Sequence, residues 1–146
     1  MQTFIIKSAS GQATVEFFER EPEDTDKSID HFWVRIQDRD LSAVGRVYAG
    51  YAGYASHPAG SHPVNLFAEM ARRWSGWEGE LNWDSIEGEL RIRCTRDRFG
   101  HISIRVELRS GHWENNWLVR ATVIAEAGQL ERIAREAALF FGQPSL

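Results

Sequence analysis

Residues Glu89 to Arg109 read ELRIRCTRDRFGHISIRVELR, and this stretch decides the fold. Leu90, Ile92 and Cys94 alternate with Glu89, Arg91, Arg93 and Thr95. After a short break, Ile102, Ile104, Val106 and Leu108 repeat the pattern from His101 to Arg109. Alternation with period two marks strands with one buried and one wet face. That is the habit of antiparallel sheets, since parallel ones are buried on both sides. The break, Asp97-Arg98-Phe99-Gly100, suits a short hairpin loop with Gly100 in the left-handed position.

The loop predicts a register. With Asp97 facing His101, Arg91 faces Glu107 and Glu89 faces Arg109. Opposite charges directly across a sheet are favourable by about 0.2–1 kcal/mol. Arg93 is left opposite Arg105. A third strand, Trp117 to Ala125, is expected to bury Trp117, Val119, Ala121, Val123 and Ala125, with Arg120 opposite Glu107 and His101 opposite Glu126. Beyond Glu126 the period changes. Leu130, Ile133, Ala134, Ala137 and Phe141 recur at helical steps, Glu131 and Arg135 form a favourable pair, and Gly142 and Pro144 supply the stop.

The first half reads more loosely. Thr3 to Lys7 and Thr14 to Glu19 are expected strands around Ser10-Gly11. Glu21 to Asp30 is polar and acidic and reads as a solvated loop. Phe32, Val34 and Ile36 alternate with Trp33, Arg35 and Gln37 in a further strand. Another follows from Leu41 to Ala49, where Gly45 marks a bulge or a close approach. Pro63 fits the first turn of a helix whose apolar stripe is Leu66, Phe67, Met70, Ala71 and Trp74, with Gly76 as its end. Glu78-Gly-Glu-Leu recurs as Glu87-Gly-Glu-Leu, each glycine preceding a strand.

The fold expected is α+β: an antiparallel sheet of about seven strands with two helices packed on it. Residues 1–146 read as one domain. The predicted core is Phe32, Val34, Ile36, Phe67, Met70, Trp74, Leu90, Ile92, Ile104, Val106, Val119, Val123, Leu130, Ile133 and Phe141.

Composition narrows the function classes. A net charge of −4 argues against a nucleic-acid binder. No apolar run approaches the ~20 residues of a membrane helix, and the amino terminus lacks a signal peptide's basic and apolar regions. One cysteine allows no internal disulfide, so a cytoplasmic location is expected.

Candidate chemistry is sparse. His57 and His62 echo each other in Ser-His-Pro, but no metal-binding helix or cysteine pair accompanies them, and no metal site or cofactor is expected. Glu78, Glu80, Asp84, Glu87 and Glu89 cluster near Trp77 and Trp83, an arrangement found in sugar-cleaving sites. The arginine partners that the register assigns to Glu89 and Glu107 favour a charge ladder instead. Cys94 points inward and reads as a small hydrophobe. No nucleophile elbow or phosphate loop is present.

What remains is a surface. Arg91, Arg93, Arg105, Glu107, Arg109 and Arg120 share the outward sheet face, and Tyr48, Tyr51 and Tyr54 recur in a Tyr-Ala-Gly segment. Arginine and tyrosine dominate interface energies, and arginine concentrated in an acidic chain is complemented by an acidic patch on a protein partner. The expectation is a binding protein without catalytic residues. A solvated charge ladder and a glycine-loosened strand end are the plain alternatives. So is a small-molecule binder or hydrolase with a pocket between sheet and helices, lined by tryptophans and the His57/His62 loop.

The stretch from Trp74 to Leu90, with Asp97-Arg-Phe-Gly-His101, Val106 to Arg109 and Glu126 to Ala134, resembles a family of small bacterial proteins of unknown function. The strands between Phe32 and Tyr48 share the likeness more weakly. The resemblance implies no activity and no catalytic residues. Size and pattern are also similar to immunity proteins of bacterial toxin systems.

Overall fold

The computed structural model describes residues 2–21, 29–51, 63–111 and 116–142. Strands β1 (Phe4–Lys7), β2 (Thr14–Glu21), β3 (Ile29–Asp38) and β4 (Leu41–Tyr51) form one antiparallel sheet. Strands β5 (Leu81–Asp84), β6 (Leu90–Arg96), β7 (His101–Arg109) and β8 (Leu118–Glu126) form a second. Each sheet runs in chain order. Helix α1 (Val64–Arg72) lies between the sheets in sequence, and α2 (Leu130–Phe141) follows β8.

The fold is therefore α+β and antiparallel, as expected. The single sheet of about seven strands is corrected to two sheets of four. Period-two alternation reports that a strand has one buried face, not which neighbour it pairs with. Two sheets can bury those faces against each other as well as against helices, and the inner faces here share one hydrophobic cluster with both helices.

That core is built on aromatic rings. Phe4, Phe17 and Phe32 stand inward on β1, β2 and β3, and meet Phe67 of α1 and Phe141 of α2 at centroid distances of 5.2–6.4 Å. Phe32 also meets Trp83 of β5 at 6.5 Å. Gly45 explains how closely the sheets approach: a Cβ there would stand 3.1 Å from Leu108 Cδ1 of β7. The corner between the sheets is closed past the end of β1. Ala9 N donates to Ile124 O at 2.7 Å, and Ile124 N to Ser8 Oγ at 3.0 Å, capping part of the free edge of β8.

The expected register holds. Arg91 lies across from Glu107, Arg93 from Arg105, Glu107 from Arg120 and His101 from Glu126. Arg109 N donates to Glu89 O at 2.8 Å, which continues the ladder one step past β6. Gly100 has φ +87°. The glycines of the Glu-Gly-Glu-Leu pair, Gly79 and Gly88, also take positive φ just before β5 and β6.

Several expectations are corrected. Trp74 is 65% exposed, because α1 ends at Arg72 and the helical phase lapses before reaching it. Trp117 is 37% exposed, because β8 starts one residue later. Val119 and Ala121 are only partly buried. The remaining members of the predicted core are buried. On α2 the salt bridge is Arg132–Glu136 at 3.6 Å, one position along from the expected Glu131–Arg135 pair. Glu126 and Gln129 form a reciprocal capping box at the turn before α2. Glu21, Ile29 and Asp30 belong to strands, and the rest of the acidic segment, 22–28, lies outside the described residues.

Candidate functional site

The outer face of the second sheet carries the arginines. Asp84, Arg91, Glu107 and Arg120 form one cross-strand row, and Asn82, Arg93, Arg105 and Thr122 the next. Like charges directly opposite repel, yet Arg93 and Arg105 each have their own acid. Arg93 Nη1 reaches Asp84 Oδ1 at 2.6 Å, and Arg105 Nη2 lies 3.8 Å from Glu80. The Asp84 hydrogen bond raises the Arg93 pKa above its ordinary value, against the opposing effect of partial burial. Arg120 places Nε and Nη2 on Glu107 Oε1 at 2.8 and 2.7 Å. Arg91 and Arg109 are exposed, and neither forms an ion pair among the described residues.

Glu89 departs from the expected outward placement: it is 5% exposed. Its Oε1 accepts from Ser85 Oγ at 2.5 Å, and its Oε2 accepts from the backbone N–H of Tyr48 at 3.1 Å. Ser85 Oγ in turn accepts from Leu90 N at 3.0 Å. The carboxylate thus staples the end of β4 in the first sheet to the start of β6 in the second. Among the described residues no second carboxylate bonds to it, so the acid-pair reading gains no geometry.

The staple ties the backbone of Tyr48 to the residue that precedes β6. Tyr48 stands on the outer face of the first sheet, packed edge-on to His31 at 4.4 Å, with the Arg46 guanidinium 5.8 Å from its ring centroid. Its backbone N–H is held by the Glu89 carboxylate, and the Glu89 carbonyl in turn accepts from Arg109 N. Arg93, Arg105 and Arg120 lie further along that sheet. The backbone of Tyr51 closes β4, but its side chain, all of Tyr54, and His57 and His62 lie outside the described residues.

Sequence reasoning missed His31 and Arg46, because a register shift at Asp30/His31 sets which side chains meet there. It also missed Phe18, which stacks on Trp33 at 6.4 Å under the Arg35 guanidinium, 4.5 Å from its ring. Outward Trp33 and Arg35 were legible from alternation; their pairing with Phe18 needed the β2–β3 register.

Elsewhere the chemistry is quiet. The Cys94 thiol is fully buried and burial pushes its pKa up to about 12, which leaves no thiolate nucleophile near neutral pH. A cleft of about 520 Å³ between β1 and α2 is lined by Lys7, Ser8, Gln129, Arg132 and Glu136 among others. Among the described residues, no group of three or more His, Cys, Asp or Glu is placed to hold a metal, and no helix is long and apolar enough to cross a membrane.

Fold and surface together define an α+β protein of two antiparallel sheets, the second with an arginine-rich outer face. Residues 6–144 match the Family of unknown function (DUF6228), and the chain belongs to that family. No curated protein and no solved structure matches it.

Proposed function

We propose that this protein is a non-catalytic interaction module that docks an acidic patch of a partner protein, in the manner of an immunity-type inhibitor, in the cytoplasm. The observation that supports this reading is the arginine-rich outer face of the second sheet. On it Arg91 and Arg109 are exposed and form no ion pair among the described residues. A guanidinium free of internal partners is available to a carboxylate across an interface. Arg93, Arg105 and Arg120 already spend their charge within the sheet and extend the surface.

The test replaces Arg91 and Arg109 together with serine. Both are exposed, so the fold should survive. Proteins captured by the immobilised wild type from a lysate of the source organism are identified, and the affinity of the principal one is measured at two salt concentrations. The double variant is expected to lose on the order of tenfold or more in affinity, with a flatter salt dependence. Unchanged affinity would place the interface elsewhere.

The β1–α2 cleft is the observation for the second reading, a small-molecule binder or hydrolase: Lys7, Arg132 and Glu136 are among its lining residues, though no tryptophan is. Turnover of an ester, phosphate or glycoside by the purified protein, reduced by substitutions in that cleft, would overturn the interaction reading.

A further inference from the structure

At the opposite end of the β6–β7 hairpin from Glu89, strand parity puts a charge on the wrong side. Arg96 follows Ile92 and Cys94 on the inward-facing register of β6, across from Ile102. Its guanidinium is seated between two glycines in the left-handed region. A Cβ on Gly76 (φ +142°) would stand 2.7 Å from Nη1, and one on Gly100 (φ +87°) 3.6 Å from Nη2. Its Nε is buried and has no hydrogen-bond partner. No carboxylate among the described residues forms an ion pair with this side chain. Buried donors are nearly always paired, and a half-buried cation without a counter-charge is costlier still.

The surroundings are arranged around that cation. Gly76, Trp77, Glu78, Arg96, Asp97 and Arg98 line a cleft of about 420 Å³. The Trp77 indole is held in place by donating to Cys94 O at 3.3 Å. Asp97 is already committed to the hairpin. Its Oδ1 accepts from Phe99 N and His101 N at 2.8 and 2.9 Å, and its Oδ2 lies 3.0 Å from His101 Nδ1. Beside Asp97, the charged residues lining the cleft are Arg96, Arg98, whose guanidinium lies 4.9 Å from the Phe99 ring centroid, and the exposed Glu78.

We propose that this cleft is an oxyanion-binding site that takes a phosphate group, with Arg96 and Arg98 as its ligands. A guanidinium fork matches phosphate oxygens in pairs. One fork saturates a planar carboxylate, whereas a tetrahedral dianion offers oxygens to two forks. A Cβ on Gly76 would displace the Arg96 fork, and both glycines hold left-handed backbone positions beside it. Glu78 competes with the ligand for the same positive charge. The site is independent of the Tyr48 surface and stands or falls separately from the interaction reading.

The experiment follows the arginine Nε–H signals of the ¹⁵N-labelled protein by NMR during titration with inorganic phosphate at constant ionic strength. Sodium chloride, acetate and glycerol phosphate serve as comparison titrants. The Arg96 signal is expected to move saturably with phosphate, with half-saturation near ~1 mM, the weak end of specific binding. Binding by glycerol phosphate but not inorganic phosphate would still support the site and identify its source as a phosphorylated metabolite. Glu78→Gln should tighten binding severalfold and Arg98→Ser weaken it severalfold. Both positions are exposed, so neither result depends on a change in folding, and Arg96→Met should abolish the response. Equal displacement by chloride or acetate would overturn the proposal. So would a lack of response to both phosphate titrants, or affinities unmoved by Glu78→Gln and Arg98→Ser.

Discussion

Removing the Glu89 carboxylate strips the Tyr48 N–H and the Ser85 hydroxyl of their acceptor at once. A buried donor left unsatisfied costs about 1–3 kcal/mol, so Glu89→Ala is expected to lower unfolding stability by at least that much in a urea titration. Glu89→Gln keeps one acceptor oxygen and should cost less. The sequence placed this residue outward by extending the alternation of β6 one position too far. Leu90 opens the strand, and ahead of a strand's first residue parity no longer governs where a side chain points. Trp74 and Trp117 were misplaced for the same reason, since each lies just beyond the end of an element. Inside β6 and β7 the periodicity was reliable: Ile92, Cys94, Ile104 and Val106 are all buried as read.

The β6–β7 hairpin shows how much one element encodes for itself. Asp97 accepts from two backbone amides and the His101 ring, and Gly100 supplies the left-handed turn residue. The backbone hydrogen bond from His101, with further help from the ring and Phe99, holds the Asp97 pKa below its ordinary value even though the group is exposed. The sign follows from the direction of the shift. A carboxyl depressed in the folded state contributes its stability fully above its unfolded pKa, and loses it as pH falls through the lower folded value. The urea midpoint should therefore drop between about pH 5 and pH 2, and Asp97→Asn should flatten that drop while lowering the midpoint at neutral pH. Register was legible at this scale because turn chemistry and cross-strand charge pairs agreed. The β3–β4 pairing, with its shift near His31, offered no such double signal, and the partners of Tyr48 could not be read in advance.

Across the whole molecule, the decisive contact is Gly45 against Leu108, where β4 crosses β7. Gly45→Val would drive a branched side chain into a packed core, at a cost of about 1–3 kcal/mol. The measurement is thermal unfolding, and a variant as stable as the wild type would show that the sheets can part without penalty. From the sequence Gly45 was either a bulge or a close approach; only the opposing sheet decided between them. The α+β class, the antiparallel pairing within the second half and most of the core were determined by the sequence alone, because they rest on local periodicity and turn residues. The division into two sheets, the burial of Glu89, its bond to the Tyr48 N–H, and the seating of Arg96 between Gly76 and Gly100 were decided by tertiary structure. Each depends on groups far apart in sequence, and no local pattern specifies which buried face will cover which.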